Sequence, residues 1–168
     1  MISLDTSTHR FHLRAAAVIC RDDAVLLHRK QDDDFWALPG GRVEPGEVAA
    51  QTVARELREE LGLAVPVGSL CLLVENFFTH AGNAHHEIGL YFQVALTAEA
   101  LPTYAGAFAG READLIFRWF AIPELAHTDV RPSFLKERLV QGAWSFQHVV
   151  HRSDSTPYPV ASVERHPL

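Results

Sequence analysis

From Glu47 to Leu61 the chain runs without a glycine or proline, rich in alanine, glutamate, arginine and leucine, between Pro45-Gly46 and Gly62. Such a stretch predicts a helix, preceded by a turn and stopped by the glycine that follows it. Ala50, Val53, Leu57 and Leu61 recur at helical spacing, so one face needs a layer to pack against. Glu59 and Glu60 follow Glu56 by three and four residues, which gathers three carboxylates on a second face.

That second face works against the helix. Like charges four residues apart cost roughly 0.2–0.5 kcal/mol per pair. Acidic groups near a helix C-terminus oppose the macrodipole by roughly 0.3–1 kcal/mol each. Arg55 and Arg58 relieve part of this. A divalent cation relieves more, because hard cations bind carboxylate oxygens, commonly beside substrate phosphates. Gly40 and Gly41 precede the helix. Glycine permits positive φ and close approach, so this pair suits aiming a carbonyl at a metal or an amide at a phosphate.

Elsewhere short apolar runs dominate. Phe11 to Cys20 reads as a buried strand, Asp22-Asp23 as a turn and Ala24 to Arg29 as a second strand, the two forming a hairpin. Gln31 to Asp34 is a polar loop, and Phe35 to Leu38 leads into the glycine pair. Gly68 to Asn76 and His86 to Leu96 read as strands around a hairpin loop, Thr79 to Ala84. Residues 97–114 form a long connection, and Leu115 to Ala121 is a strand with aromatic residues. Pro123 opens a helical turn, and Pro132 or Ser133 opens a helix to about Val140. Residues 1–10 are expected as a loose arm, and about 150–168 as a polar tail that the pattern does not place. Strands in the middle, one long helix and one late helix suit a mixed sheet covered on both faces.

At 168 residues the chain suits a single domain, 1–168. No apolar run approaches the length needed to span a bilayer, and the first ten residues lack a signal-peptide pattern. Cys20 and Cys71 sit in strand-like apolar runs. They read as small buried hydrophobes in a reducing compartment, so the expected location is cytoplasmic. A net charge of −6 gives no long-range attraction for a nucleic-acid polymer. An anionic ligand then needs a metal and a few local cations.

Gly41, Glu47, Arg55, Glu56, Leu57, Glu59, Glu60, Gly62 and Leu63 resemble, position for position, the Nudix box, G-x5-E-x7-R-E-U-x-E-E-x-G-U with U a bulky aliphatic. Chance agreement at nine positions is on the order of one in tens of millions, which separates this helix from an ordinary solvated acidic face. The resemblance implies a Nudix-type α/β/α sandwich, with the box as a loop–helix–loop at the sheet edge. It implies a hydrolase that uses Mg²⁺ or Mn²⁺ to cleave the diphosphate linkage of a nucleoside diphosphate joined to another group. It implies that Glu56, Glu59 and Glu60 hold the metal with the Gly40 carbonyl, that Arg55 orients the carboxylates, and that Glu47 supports the loop or ligates through water. A homodimer is a further implication. A catalytically silent nucleotide sensor on the same fold is the alternative.

Around the box, several residues are candidates for the same site. Glu56, Glu87 and Glu112 compete for the role of proton acceptor, and surface positions are expected for the last two. Arg29, Lys30 and Arg42 are candidates to touch phosphate, and Trp36 to form a pocket wall. His80, His85 and His86 fit no zinc spacing and are expected as exposed hairpin residues. Phe77, Phe78, Tyr91, Phe92, Phe117, Trp119 and Phe120 are expected mainly in the core. The residues Glu75 to His80 contain neither the proline common in ADP-ribose-cleaving relatives nor the tyrosine common in diadenosine-polyphosphate relatives.

Overall fold

The computed structural model describes residues 1–101 and 106–153. In chain order the strands are β1 (Ser3–Asp5), β2 (Arg10–Val18), β3 (Cys20–Arg21), β4 (Ala24–Lys30), β5 (Gly40–Arg42), β6 (Leu70–His80), β7 (Asn83–Gln93), β8 (Ala107–Ala109), β9 (Leu115–Ala121) and β10 (Gln147–Arg152). The helices are α1 (Ala49–Leu61) and α2 (Leu135–Gln141), with a 3-10 turn at Ile122–His127. A mixed sheet runs β1-β2-β7-β6-β10, with β5 also paired to β2. A second, antiparallel sheet runs β3-β4-β9-β8.

The centre of the fold is β2, because it is apolar on both faces. Ala15 and Ala17 pack in one core with Val53 and Leu57 of α1. Ala16 and Val18 pack in another with Leu72, Tyr91 and the α2 residues Leu135 and Leu139. A strand buried on both sides needs a layer over each, which gives the α/β/α sandwich. The same requirement corrects the expected first hairpin. Only Cys20-Arg21 folds back on Ala24-Val25, whereas β2 pairs in parallel with β7 from Arg10↔His85 to Val18↔Gln93.

Three other expectations change. The first residues are not a loose arm: β1 pairs antiparallel with the start of β2, and the Arg10 guanidinium bonds the Asp5 carboxylate at 2.7 Å. The β6/β7 hairpin turns on Ala81-Gly82 alone, both at positive φ (49° and 77°), tighter than the six-residue loop the composition suggests and matched to strand twist. Within the expected tail, β10 adds in parallel to β6 from Gln147↔Leu72 to Arg152↔Phe77. The rest of that tail, 154–168, lies outside the described residues. Among the described residues no helix is long and apolar enough to cross a membrane.

Candidate active site

The box corner is organised around one guanidinium. Arg55 donates from Nε to Glu47 Oε1 (2.9 Å), from Nη2 to Glu47 Oε2 (3.1 Å) and to the Arg42 carbonyl (3.3 Å), and from Nη1 to Glu56 Oε1 (2.7 Å) and Glu59 Oε2 (3.1 Å). The helix supplies this geometry: Glu59 lies one turn beyond Arg55, and Glu47 sits in the loop just before the first turn. Glu47 also accepts the Thr52 hydroxyl at 2.7 Å and the Glu44 amide at 3.1 Å. The Arg55 bonds, working against burial and helped by Thr52, hold the Glu47 carboxyl down to about 2. The Glu47 bond is the chief cause of the raised Arg55 value. Glu56 goes the other way, pushed up by burial that Arg55 only partly offsets. Such a fork-shaped set of charge-assisted bonds fixes carboxylates in place.

Both glycines before the helix have structural reasons. Gly40 has φ of +144°, and a Cβ there would lie 2.2 Å from the Ala15 carbonyl oxygen. A Cβ on Gly41 would fall 2.1 Å from Glu56 Oε1, so the bare backbone leaves room for that carboxylate. At the other end Gly62 turns left-handed at φ of 74°. The Arg111 amide donates to the Glu60 carbonyl at 2.7 Å, which brings the loop bearing Glu112 to the end of α1.

Glu60 differs from its neighbours: it is buried, whereas Glu59 is half exposed. Its Oε2 stands 3.5 Å from His28 Nδ1, and neither atom has a hydrogen-bond partner. Among the described residues no three acidic, imidazole or thiol groups surround a common point, since Glu56 turns to Arg55 and Glu60 turns inward. The donor set still fits a hard divalent cation: all its donors are oxygens, and Glu60 Oε2 is a buried acceptor with no donor to meet it. Arg55 gathers Glu47, Glu56 and Glu59, while Glu60 lies apart from them on the cleft with Gly40.

Glu60 and Gly40 line a cleft of roughly 630 Å³, together with Arg14, Arg29, Lys30, Glu87 and Glu112. Arg29 donates to the carbonyls of Lys30, Gln31 and Asp33, tying down that loop. Lys30 is exposed, 3.9 Å from Asp114. Glu47, Arg55, Glu56 and Glu59 lie outside this lining, and so do two of the substrate candidates. Trp36 packs edge-on against Phe120 at 4.8 Å, and its neighbour Phe35 lines the cleft instead. The Arg42 side chain reaches Met1 Sδ at 3.4 Å.

The opposite wall is a polar row across the mixed sheet. His12, Glu87, Asn76 and His151 lie in register on four adjacent strands. His12 Nε2 donates to Glu87 Oε2 at 2.8 Å, and Asn76 Nδ2 donates to Glu87 Oε1 at 3.3 Å. Glu87 is therefore not a surface carboxylate but 5% exposed. Burial raises its pKa, but the His12 bond, the Arg14 charge and the Asn76 bond outweigh it, so the net shift is downward. His85 is also buried, stacked on Phe78 at 4.8 Å, rather than exposed on the hairpin. Glu112 is exposed, as expected. Tyr91, Phe117, Trp119 and Phe120 are core residues, whereas Phe78 is half-buried and lines the cleft. Arg14, His28, Asn76 and His151 are absent from the sequence-based candidates. For Arg14 a signal exists, a lone arginine amid Ala-Ala-Ala-Val-Ile; the other three become neighbours only through strand pairing.

A double-cored mixed sheet with an arginine-gathered acidic corner defines a class of α/β/α sandwich proteins. The NUDIX domain profile matches residues 10–138, and the chain belongs to the Nudix family. Over 57 residues it is 47% identical to the CTP pyrophosphohydrolase of Escherichia coli K12, covering 32% of this chain and 42% of that protein. Over 73 residues it is 38% identical to the ADP-ribose pyrophosphatase of Methanocaldococcus jannaschii, covering 39% and 43%. The chain thus spans less than half the length of either relative. The crystal structure of a mutator MutT protein from Bacillus halodurans shares the fold, with a TM-score of 0.63, 21% identity, and 84% and 89% coverage.

Proposed function

We propose that this chain is a hydrolase of diphosphate linkages, acting on a nucleoside diphosphate joined to another group, such as a nucleoside triphosphate or a nucleotide sugar. In this reading Glu56, Glu59 and Glu60, with the Gly40 carbonyl and Glu47 beside them, hold Mg²⁺ or Mn²⁺, which supplies charge neutralisation of the diphosphate oxygens and an acidified water. Arg55 fixes the angle of Glu47, Glu56 and Glu59. Arg14, Arg29 and Lys30 bring positive charge to the cleft where phosphate would lie. Glu56 is the proton acceptor of choice, because burial raises its pKa toward the working range of a base. Glu87 is a poor one, because His12 and Asn76 occupy its oxygens. The observation that carries the reading is the buried, unpartnered Glu60 Oε2 facing the cleft beside the Arg55 fork.

The reading extends to one catalytic domain over 1–168, a homodimer, and a cytoplasmic setting in which the free Cys20 and Cys71 stay reduced. Burial pushes both thiols up to about 11, which suits inert structural residues. The test is a panel of nucleotide conjugates with Mg²⁺ or Mn²⁺, detecting the liberated nucleoside monophosphate. Glu59→Gln and Glu60→Gln are each expected to lower kcat by a factor on the order of a hundred to a thousand, the scale of single electrostatic contacts to a reacting group. Full turnover in both variants would refute the assignment.

A further inference from the structure

The polar row across the sheet has a direction, and it ends in the cleft. Glu87 is an acceptor on both oxygens, so Asn76 must turn its amide nitrogen toward Glu87 and its carbonyl away. That carbonyl, Asn76 Oδ1, meets His151 Nδ1 at 2.9 Å. The Nδ1 therefore carries the proton, and His151 Nε2 is left with a lone pair. Nε2 faces Ser133 Oγ at 3.1 Å, so the hydroxyl donates to it and keeps its own lone pairs for the cleft. Burial lowers the His151 pKa, which keeps the ring neutral and this tautomer in place at pH 7.

Both His151 and Ser133 line the cleft. As a unit they offer a ligand acceptors and no donor. A ligand carbonyl can be served only by turning the Ser133 hydroxyl off Nε2, which strands that lone pair. A ligand N–H is served by the Ser133 oxygen without loss. The neighbouring surface suits a flat ring. Phe78 lines the cleft on the strand that carries Asn76, stacked on His85 with a 10° angle between planes. Phe35 lines it too, under the Arg131 guanidinium at 4.4 Å.

We propose that Ser133, its hydroxyl turned onto His151 Nε2 by the Glu87–Asn76 relay that fixes the ring's tautomer, determines specificity by accepting at Oγ a hydrogen bond from an amino group on a planar ring of the substrate. The ring chemistry is an aminated nucleobase rather than its keto counterpart. This deepens the hydrolase reading, since it concerns the part of the substrate away from the diphosphate.

The test compares matched pairs that differ in amino against keto: CTP with UTP and ATP with ITP for kcat/KM, and CMP with UMP and AMP with IMP for calorimetric binding without turnover. The wild-type chain is expected to favour the amino member of at least one pair by about tenfold to a hundredfold, the scale of one stranded polar group. His151→Phe is expected to abolish that preference. His151→Gln is expected to keep affinity and erase the preference, because its amide can present either edge; a residue needed only for folding would not separate the two. No preference in the wild-type pairs, a preference that survives His151→Phe, or discrimination only between ribose and deoxyribose overturns the inference. Binding selectivity without any turnover would instead sink the hydrolase reading and leave this one standing.

Discussion

At the box corner Arg55 reaches partners one, four, eight and thirteen residues away in the chain. Across the cleft the bonds His12–Glu87 and His151–Asn76 each join residues seventy-five positions apart. The first region is assembled by one helix and the loop before it. The second exists only once four strands, two of them added in parallel, have found their register. The box corner, which adjoins the cleft through Glu60 and Gly40, and the sheet row that walls it thus depend on the fold to different degrees, and each can be broken separately.

The sharpest break is Arg55→Met. It leaves Glu47, Glu56 and Glu59 without their shared cation, and the expected loss is about 3 kcal/mol in urea unfolding, the upper end for hydrogen bonds to charged groups. Mn²⁺ is expected to recover part of that stability; no recovery with metal counts against a cation at this corner. Next is Gly41→Ala, which places a methyl group on the Glu56 carboxylate. Because the obstructing atoms belong to a flexible side chain, the fold should tolerate it. Metal affinity should fall by about tenfold to a hundredfold, the usual effect of disturbing a ligand's support, as read by Mn²⁺ titration. Asn76→Leu acts on the sheet row. It strips a bond from Glu87 and the acceptor from His151, for an expected cost of about 1–2 kcal/mol, with Mn²⁺ affinity unchanged. A fall in metal affinity there would mean that the two regions are not independent.

The smallest effect is with pH. Burial lowers the folded values of His85, His86 and His151 below the ordinary 6.5. Groups with lowered values contribute stability that is fully present above 6.5 and is lost as pH falls through it. Glu87, also lowered, adds to the loss below 4.5. At the corner, Glu47 is held down to about 2, so its bonds to Arg55 persist well below that range. Melting temperature is therefore expected to drop by several degrees between pH 7.5 and 5, with the corner's Glu47–Arg55 pair intact. A flat profile would show that the sheet histidines do not titrate with unfolding.

Legibility follows the same division. The helix, its glycine stop and the grouping of Glu47, Arg55, Glu56, Glu59 and Glu60 can be read from spacing, because each relation is local. Leu115 to Ala121 is likewise a strand with the expected bounds. What spacing does not carry is partnership. Nothing near Glu87 in the chain announces His12, and His151 has no motif around it at all. Trp36 looks like a cleft wall by adjacency to Gly40, yet the strand pairing beside it turns Phe35 to the cleft and Trp36 to Phe120. The split of Phe11 to Arg29 between two sheets is invisible for a related reason: an apolar run shows that a strand is buried but not beside which neighbour.

One further consequence comes from the double-sided burial of β2. A strand with alanines on both faces gains little from hydrophobic alternation as a guide to alignment, since sliding by one position exchanges one small apolar set for another. His12 and Arg14 remove that degeneracy. Shifted by a single residue, they would be driven into the apolar core that β2 shares with Val53 and Leu57 of α1. Arg14, which lines the cleft, and His12, which holds Glu87 there, therefore also act as the notches that key the sheet, and an insertion anywhere in Leu13 to Ala17 would scramble recognition and folding at one stroke.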